Sequence, residues 1–154
     1  MSARRYYDRP TRQCSPRLTA AADFVRAIRK GIQMAEVSLF DVKGNPVAYI
    51  AEDGEGTIYL WRGEAVAYLK QEHIYGFNGN HLGWFDGGVL RDGTGACVGF
   101  VKEKCPRIPK IEPIKSIKKI TKIKSIQKIA PIRPINKPGA SSIPLEVFLT
   151  GGAK

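Results

Sequence analysis

Four side chains in the middle of the chain, His73, His81, Cys97 and Cys105, are of the types that hold zinc, and they follow one another at intervals of eight, sixteen and eight. Structural zinc sites draw their ligands in short pairs such as Cys-x-x-Cys. The spacing therefore argues against a metal, and His81, directly after Gly79-Asn80, is expected in a solvated turn. Asp41, Asp53, Glu55, Asp86 and Asp92 are the candidates for a general acid/base pair. Each falls in or beside a turn or link, so a solvated acidic rim is the expectation. There is no nucleophile elbow, phosphate loop or dinucleotide fingerprint, since Gly93 and Gly95 form only a Gly-x-Gly inside a turn. The residue types point away from an enzyme and from any cofactor, and a hydrolase built on the acidic turns ranks below every binding role. Tyr49, Tyr59, Tyr68, Tyr75, Phe77, Phe85 and Phe100 read mainly as a shared aromatic core. Trp61, beside a turn, and Trp84, at the end of a hairpin, are the two aromatic residues expected to be exposed for contact.

These residues belong to a stretch, 36–101, in which one pattern occurs four times: an apolar residue, Gly, Val or Leu, then Ala or Gly, then an aromatic. The copies are Leu39/Gly44/Val47-Ala48-Tyr49, Ile58/Gly63/Val66-Ala67-Tyr68, Ile74/Gly79/Leu82-Gly83-Trp84 and Leu90/Gly95/Val98-Gly99-Phe100. Short alternating runs on either side of each Gly predict a β-hairpin. Asn78-Gly79 is the strongest turn signal, because both residue types tolerate positive φ. An isolated hairpin is marginal, so four in tandem predict a closed or radial all-β unit of pseudo-fourfold symmetry. The small residues Ala48, Ala67, Gly83 and Gly99 are expected where strands approach one another near the axis.

Leu39-Phe40-Asp41, Gly44-Asn45-Pro46-Val47-Ala48-Tyr49-Ile50, Val66-Ala67-Tyr68-Leu69, Ile74-Tyr75-Gly76-Phe77 and Leu82-Gly83-Trp84-Phe85 resemble the bacterial 4-fold beta flower domain. The resemblance covers residues 35–101 and implies four hairpin-like units about a pseudo-fourfold centre. It carries no catalytic residue. The fourth unit departs from the pattern, with Arg91 where the others have Phe40, Tyr59 and Tyr75.

A second regularity follows: Ile108, Ile111, Ile114, Ile117, Ile120, Ile123, Ile126, Ile129, Ile132 and Ile135 fall at every third position. An α-helix would smear that stripe and a strand would split it between two faces. Only a threefold, polyproline-II-like conformation keeps it on one edge, at about 3.1 Å per residue. The other positions are largely cationic. The formal charge of +11 divides into +6 for residues 1–33, −5 for 34–101, +10 for 102–137 and zero for the rest. Three readings fit the basic segment: a disordered tail, docking on the acidic hairpin unit with the isoleucines in an apolar groove, and binding of an external polyanion, either nucleic acid or an anionic membrane surface. Lys115, Lys118, Lys119, Lys122, Lys124 and Lys128 are the candidate contact residues, with Trp61 and Trp84. Ile143 to Thr150 reads as a final strand that could close an open sheet edge.

The resulting division is a basic leader over 1–33, disordered or untranslated if Met34 is the true start; a four-hairpin β domain over 34–101; an extended Ile/Lys/Pro segment over 102–138; and a C-terminal strand and tail over 139–154. Three cysteines without paired spacing, no signal-like apolar core and no apolar run long enough to span a bilayer suit a cytoplasmic protein. The function expected is a non-catalytic interaction or scaffold module, its basic segment docking on its own β domain or mediating self-association or binding of another protein. The alternative is an electrostatic binder of nucleic acid or anionic lipid.

Overall fold

A computed structural model describes residues 36–153; the basic leader and the alternative start at Met34 lie outside them. Each hairpin forms where the sequence places its turn. The strands are β1 (Val37–Phe40), β2 (Pro46–Ile50), β3 (Thr57–Leu60), β4 (Ala65–Lys70), β5 (His73–Gly76), β6 (His81–Asp86), β7 (Val89–Arg91) and β8 (Cys97–Val101). Every strand pairs antiparallel with the next, and β8 pairs back to β1, so the sheet closes into an eight-stranded barrel. All four tips lie at one end because every β-odd to β-even connection is a short turn. In each tip a glycine at positive φ, Gly44 at 82° and Gly63 at 82° among them, completes the turn.

The Val/Leu of the motif has a specific job. In every hairpin the register shifts once, between Leu39/Phe40, Ile58/Tyr59, Ile74/Tyr75 and Leu90/Arg91. The residues skipped on the partner strands are Val47, Val66, Leu82 and Val98, so each is the extra residue of a β-bulge. The bulge lets these side chains join the barrel core although the next residue, small in every repeat, also faces inward. The aromatic after it is thereby sent to the outer wall. Bulges also raise the local twist and bend the strands, which a barrel of such short strands needs in order to close.

Residues 143–150 correct the expectation of a final strand. With β1 and β8 paired there is no open edge to complete, and Leu145–Thr150 instead forms a short helix, α1. Leu145, Phe148 and Leu149 recur at helical spacing and are buried, while Val147 stays 58% exposed. The helix plugs the barrel. It explains the small residues better than strand approach alone does: a Cβ on Gly99 would sit 2.8 Å from a Leu145 methyl, and one on Gly83 2.9 Å from the Phe148 ring as well as 2.0 Å from the Arg91 carbonyl. The barrel core of Leu39, Ile58, Ile74, Leu90, Leu60, Leu69 and Phe85 is thus completed from the far end of the chain.

After a 3-10 turn at Lys102–Lys104, residues 106–138 run as an extended strap across all four tips. Lys110, Lys119, Lys128 and Lys137 donate their backbone N–H groups to the carbonyls of Gly44, Gly63, Gly79 and Gly95 at 2.9, 2.8, 2.9 and 3.0 Å. Ser116 and Ser125 donate likewise to Trp61 and Phe77 at 3.0 and 2.9 Å. Pro134, at the same place in the following step, has no N–H to give. The strap advances nine residues per hairpin.

The tip glycines answer to two demands at once. A Cβ on Gly63 would stand 2.0 Å from the Ile117 carbonyl oxygen, and the φ is positive; Gly54 has φ +73° but nothing within 4 Å. Gly54→Ala is expected to cost about 1–2 kcal/mol, the left-handed backbone alone. Gly63→Ala is expected to cost at least about 3 kcal/mol, because the strap must also lift and give up hydrogen bonds. Urea unfolding of the two variants measures the difference.

Candidate interaction surface on the strap

The threefold strap has three edges with three roles. One carries the N–H groups that meet the tips. A second, one residue after each isoleucine, turns its side chains onto the outer wall of the barrel. The third carries the isoleucines, which are 88–99% exposed. The stripe therefore does not enter an apolar groove, as the docking expectation had it; the cationic edge faces the domain instead.

What that edge covers is a second apolar cluster outside the barrel: Tyr49, Tyr59, Ala65, Tyr68, Tyr75, Phe77 and the half-buried Trp61. Tyr49 stacks on Tyr59 at 5.8 Å and Tyr68 on Tyr75 at 6.0 Å, each pair spanning the seam between neighbouring hairpins. Lys115 lies 4.9 Å from the Tyr49 ring centre, Lys118 5.5 Å from Tyr59, and Lys124 4.6 Å from Tyr68. These are cation–π distances. Lys115 and Lys118 both reach Glu36, the latter at 2.7 Å; Lys124 reaches Glu55 at 2.6 Å; Arg133 reaches Glu72 and Asp86. Lys115, Lys124 and Arg133 are nine residues apart, so one cation serves each of three seams. Gln127 donates to the Tyr68 hydroxyl at 2.9 Å and accepts from Lys70 at 2.7 Å.

Lys122 points the other way and donates to the Ala153 carbonyl beside the plug. Lys119 and Lys128 are tied by their backbones, and both residues are exposed. Of the aromatic candidates, Trp84 is 2% exposed, contrary to expectation, packed against His81 at 4.5 Å. Trp61 is covered by Tyr49 and the strap. The Tyr49 hydroxyl and the Trp61 indole N–H are buried with no hydrogen-bond partner among the described residues.

The acidic residues are more engaged than a solvated rim. Asp41 and Asp92 fold back on the N–H groups of their own turns, and Asp92, 5% exposed, also accepts from the Ser141 hydroxyl at 2.6 Å. Burial acts to raise the Asp92 pKa, but the hydrogen bonds from Ser141, Thr94 and Ala96 outweigh it and the net shift is downward. Arg91, the departure in the fourth repeat, donates to the carbonyls of Gly95 at 3.0 Å and Lys137 at 2.8 Å. It pins the end of the strap just before Ala140 bridges to Cys97 and the chain turns inward.

The four zinc-type residues are not assembled. His73 Nδ1 and His81 Nε2 lie 3.1 Å apart, one ring donating to the other, while Cys97 and Cys105 are free thiols facing the Lys137 and Asp41 carbonyls. Among the described residues no group of three or more His, Cys, Asp or Glu side chains is placed to hold a metal. His81 is not a solvated turn residue: it contacts Trp84 and Tyr75.

Burial, with the His73 ring beside it, lowers the His81 pKa from 6.5 to about 4. The unfolded chain therefore takes up that proton first. Stability is full above 6.5 and is lost as pH falls from there towards 4. Glu36, whose carboxylate is opposed by burial but held below its usual range by Lys115 and Lys118, adds a loss that begins only below 4.5. Replacing His81 by Phe is expected to flatten the upper part of this acid limb and leave the lower part, as read from melting temperature against pH.

No curated protein and no solved structure matches the chain. A family model described as 4-fold beta flower protein matches residues 37–149, which takes in the barrel, the strap and the plug helix. The chain belongs to the 4-fold beta flower protein family.

Proposed function

We propose that the protein is a non-catalytic interaction module in which the acidic barrel holds the basic strap in place and the isoleucine edge of the strap meets the partner. The observation that carries this reading is the exposure of all ten isoleucines, 88% or more, on a segment bonded at every hairpin tip. Single exposed apolar residues are ordinary, but a contiguous apolar row marks an interaction surface. Each isoleucine left in water forgoes about 1.5–3 kcal/mol of burial. A row already fixed in shape loses little further conformational freedom when it is covered.

Two further observations support it. Asp41 and Asp92 are committed to their turns, and Glu36, Glu55, Glu72 and Asp86 to the strap, so the acids have structural work. The purely electrostatic alternative, nucleic-acid binding, is weakened because Lys115, Lys118, Lys124 and Arg133 are turned onto the protein's own acids and rings.

Limited trypsin digestion of the full chain tests the reading. Residues 106–138 are expected to resist cleavage in the free protein at low and moderate salt, with no added protection from a DNA duplex. Rapid cutting throughout the strap, with protection only on adding DNA, would reverse the assignment in favour of a polyanion tail.

A further inference from the structure

We infer that the partner of the isoleucine edge is an anionic lipid surface, which the strap meets as an interfacial amphipathic ribbon. This rests on the interaction-surface reading above and adds the chemistry of the occupant. The central step of the strap shows it best. Ile117, Ile120 and Ile123 are 92%, 99% and 95% exposed. The cations of that step divide between three jobs, one of which is the bond of Lys122 to the Ala153 carbonyl. Lys118 and Lys124 are drawn onto Glu36 and Glu55. Lys119, tethered by its N–H to Gly63, has no acidic partner among the described residues, and it is exposed directly before Ile120 in the chain. The same holds at nine-residue intervals for Lys110, Lys128 and Lys137, whose N–H groups meet Gly44, Gly79 and Gly95 and whose residues are exposed.

The surface thus offers hydrocarbon and positive charge side by side, and a suitable occupant must supply hydrocarbon and negative charge together. A second copy of the strap would cover the isoleucines but bring lysine against lysine. A nucleic acid would neutralise the lysines and leave the isoleucines in water. A bilayer containing acidic lipid satisfies both, with the isoleucines at the boundary of headgroup and acyl chain and the lysines among the headgroups. The depth is limited by the backbone. An extended threefold segment has no internal hydrogen bonds, so strap carbonyls without a protein partner must remain within reach of water. Contact is therefore peripheral, and no helix among the described residues is long and apolar enough to cross a membrane.

Flotation of the full chain with vesicles tests this, using phosphatidylcholine alone and phosphatidylcholine mixed with phosphatidylserine. Wild type is expected to bind the phosphatidylserine vesicles at least about tenfold better than the neutral ones, and less well as salt is raised. The variant carrying Ile117→Ser, Ile120→Ser and Ile123→Ser is expected to lose about tenfold in binding with an unchanged melting temperature, since these side chains touch little of the fold. Lys119→Glu with Lys128→Glu should lose binding and most of the salt dependence. Binding by the isoleucine variant equal to wild type would overturn the proposal, because charge alone would then suffice. If wild type ignores both vesicles but sediments as an assembly that the isoleucine variant dissolves, lipid is excluded while the interaction surface stands, with a second copy as its occupant. A monomer that binds neither vesicle overturns the lipid proposal, and the interaction-surface reading is then decided by the trypsin experiment alone.

Discussion

The contact on which the rest of the molecule depends is backbone to backbone: a tip glycine carbonyl takes an N–H from the strap while its missing side chain admits a strap carbonyl. It recurs at Gly44, Gly63, Gly79 and Gly95 against Ile108, Ile117, Ile126 and Ile135. It can recur only if the step between tips is a whole number of turns of the strap. Nine residues are three turns of a threefold structure, so the same edge arrives at every tip. An α-helical strap would arrive rotated by about half a turn after nine residues, and a strand would arrive with its opposite face. The Ile-x-x period and the hairpin spacing are thus one constraint seen from two sides.

The barrel between those tips is incomplete by itself. Ala48, Ala67, Gly83 and Gly99 leave its interior too empty for strands this short to fill, and Leu145, Phe148 and Leu149 of α1 supply the missing volume. Its outer wall carries a tyrosine-rich cluster that would lie open without the strap. Filler and cover both come from the C-terminal third, and the strap is what carries the chain from β8 round to the point where the plug turns in. The single β7 arginine, Arg91, marks that point by holding Gly95 and Lys137 together.

Charge chooses the strap's orientation more than it supplies stability. The ion pairs have one or both side chains 33–65% exposed, where such pairs contribute only about 0–1 kcal/mol each. Their arrangement still matters. Acids at Glu36, Glu55, Glu72 and Asp86 beside electron-rich ring faces draw one edge of the strap inward, and the isoleucine edge is turned outward as a consequence. A groove for isoleucine was a reasonable expectation from hydrophobicity alone, but the wall it would have lain against is made of tyrosine rings, which accept cations as well as hydrocarbon.

Local chemistry was enough to determine the hairpins, their glycine turns, the fourfold repeat and the threefold period of the strap, because each depends on residues within a few positions of one another. The nine-residue recurrence of Lys110, Lys119, Lys128 and Lys137 is also written in the sequence, hidden as a multiple of the stronger period of three. The helical spacing of Leu145, Phe148 and Leu149 is there too, though its brevity lets it pass for a strand. Tertiary structure decided what no local pattern contains. Closure of β1 on β8 removed the edge a final strand needed and left an interior for a helix to fill. Packing at the seams buried Trp84 and half-buried His81, although both sit near turns. The direction of the isoleucines depended on which surface, 57 to 82 residues away in the chain, the strap's other edges would meet, and burial is a property of that meeting, not of the residue.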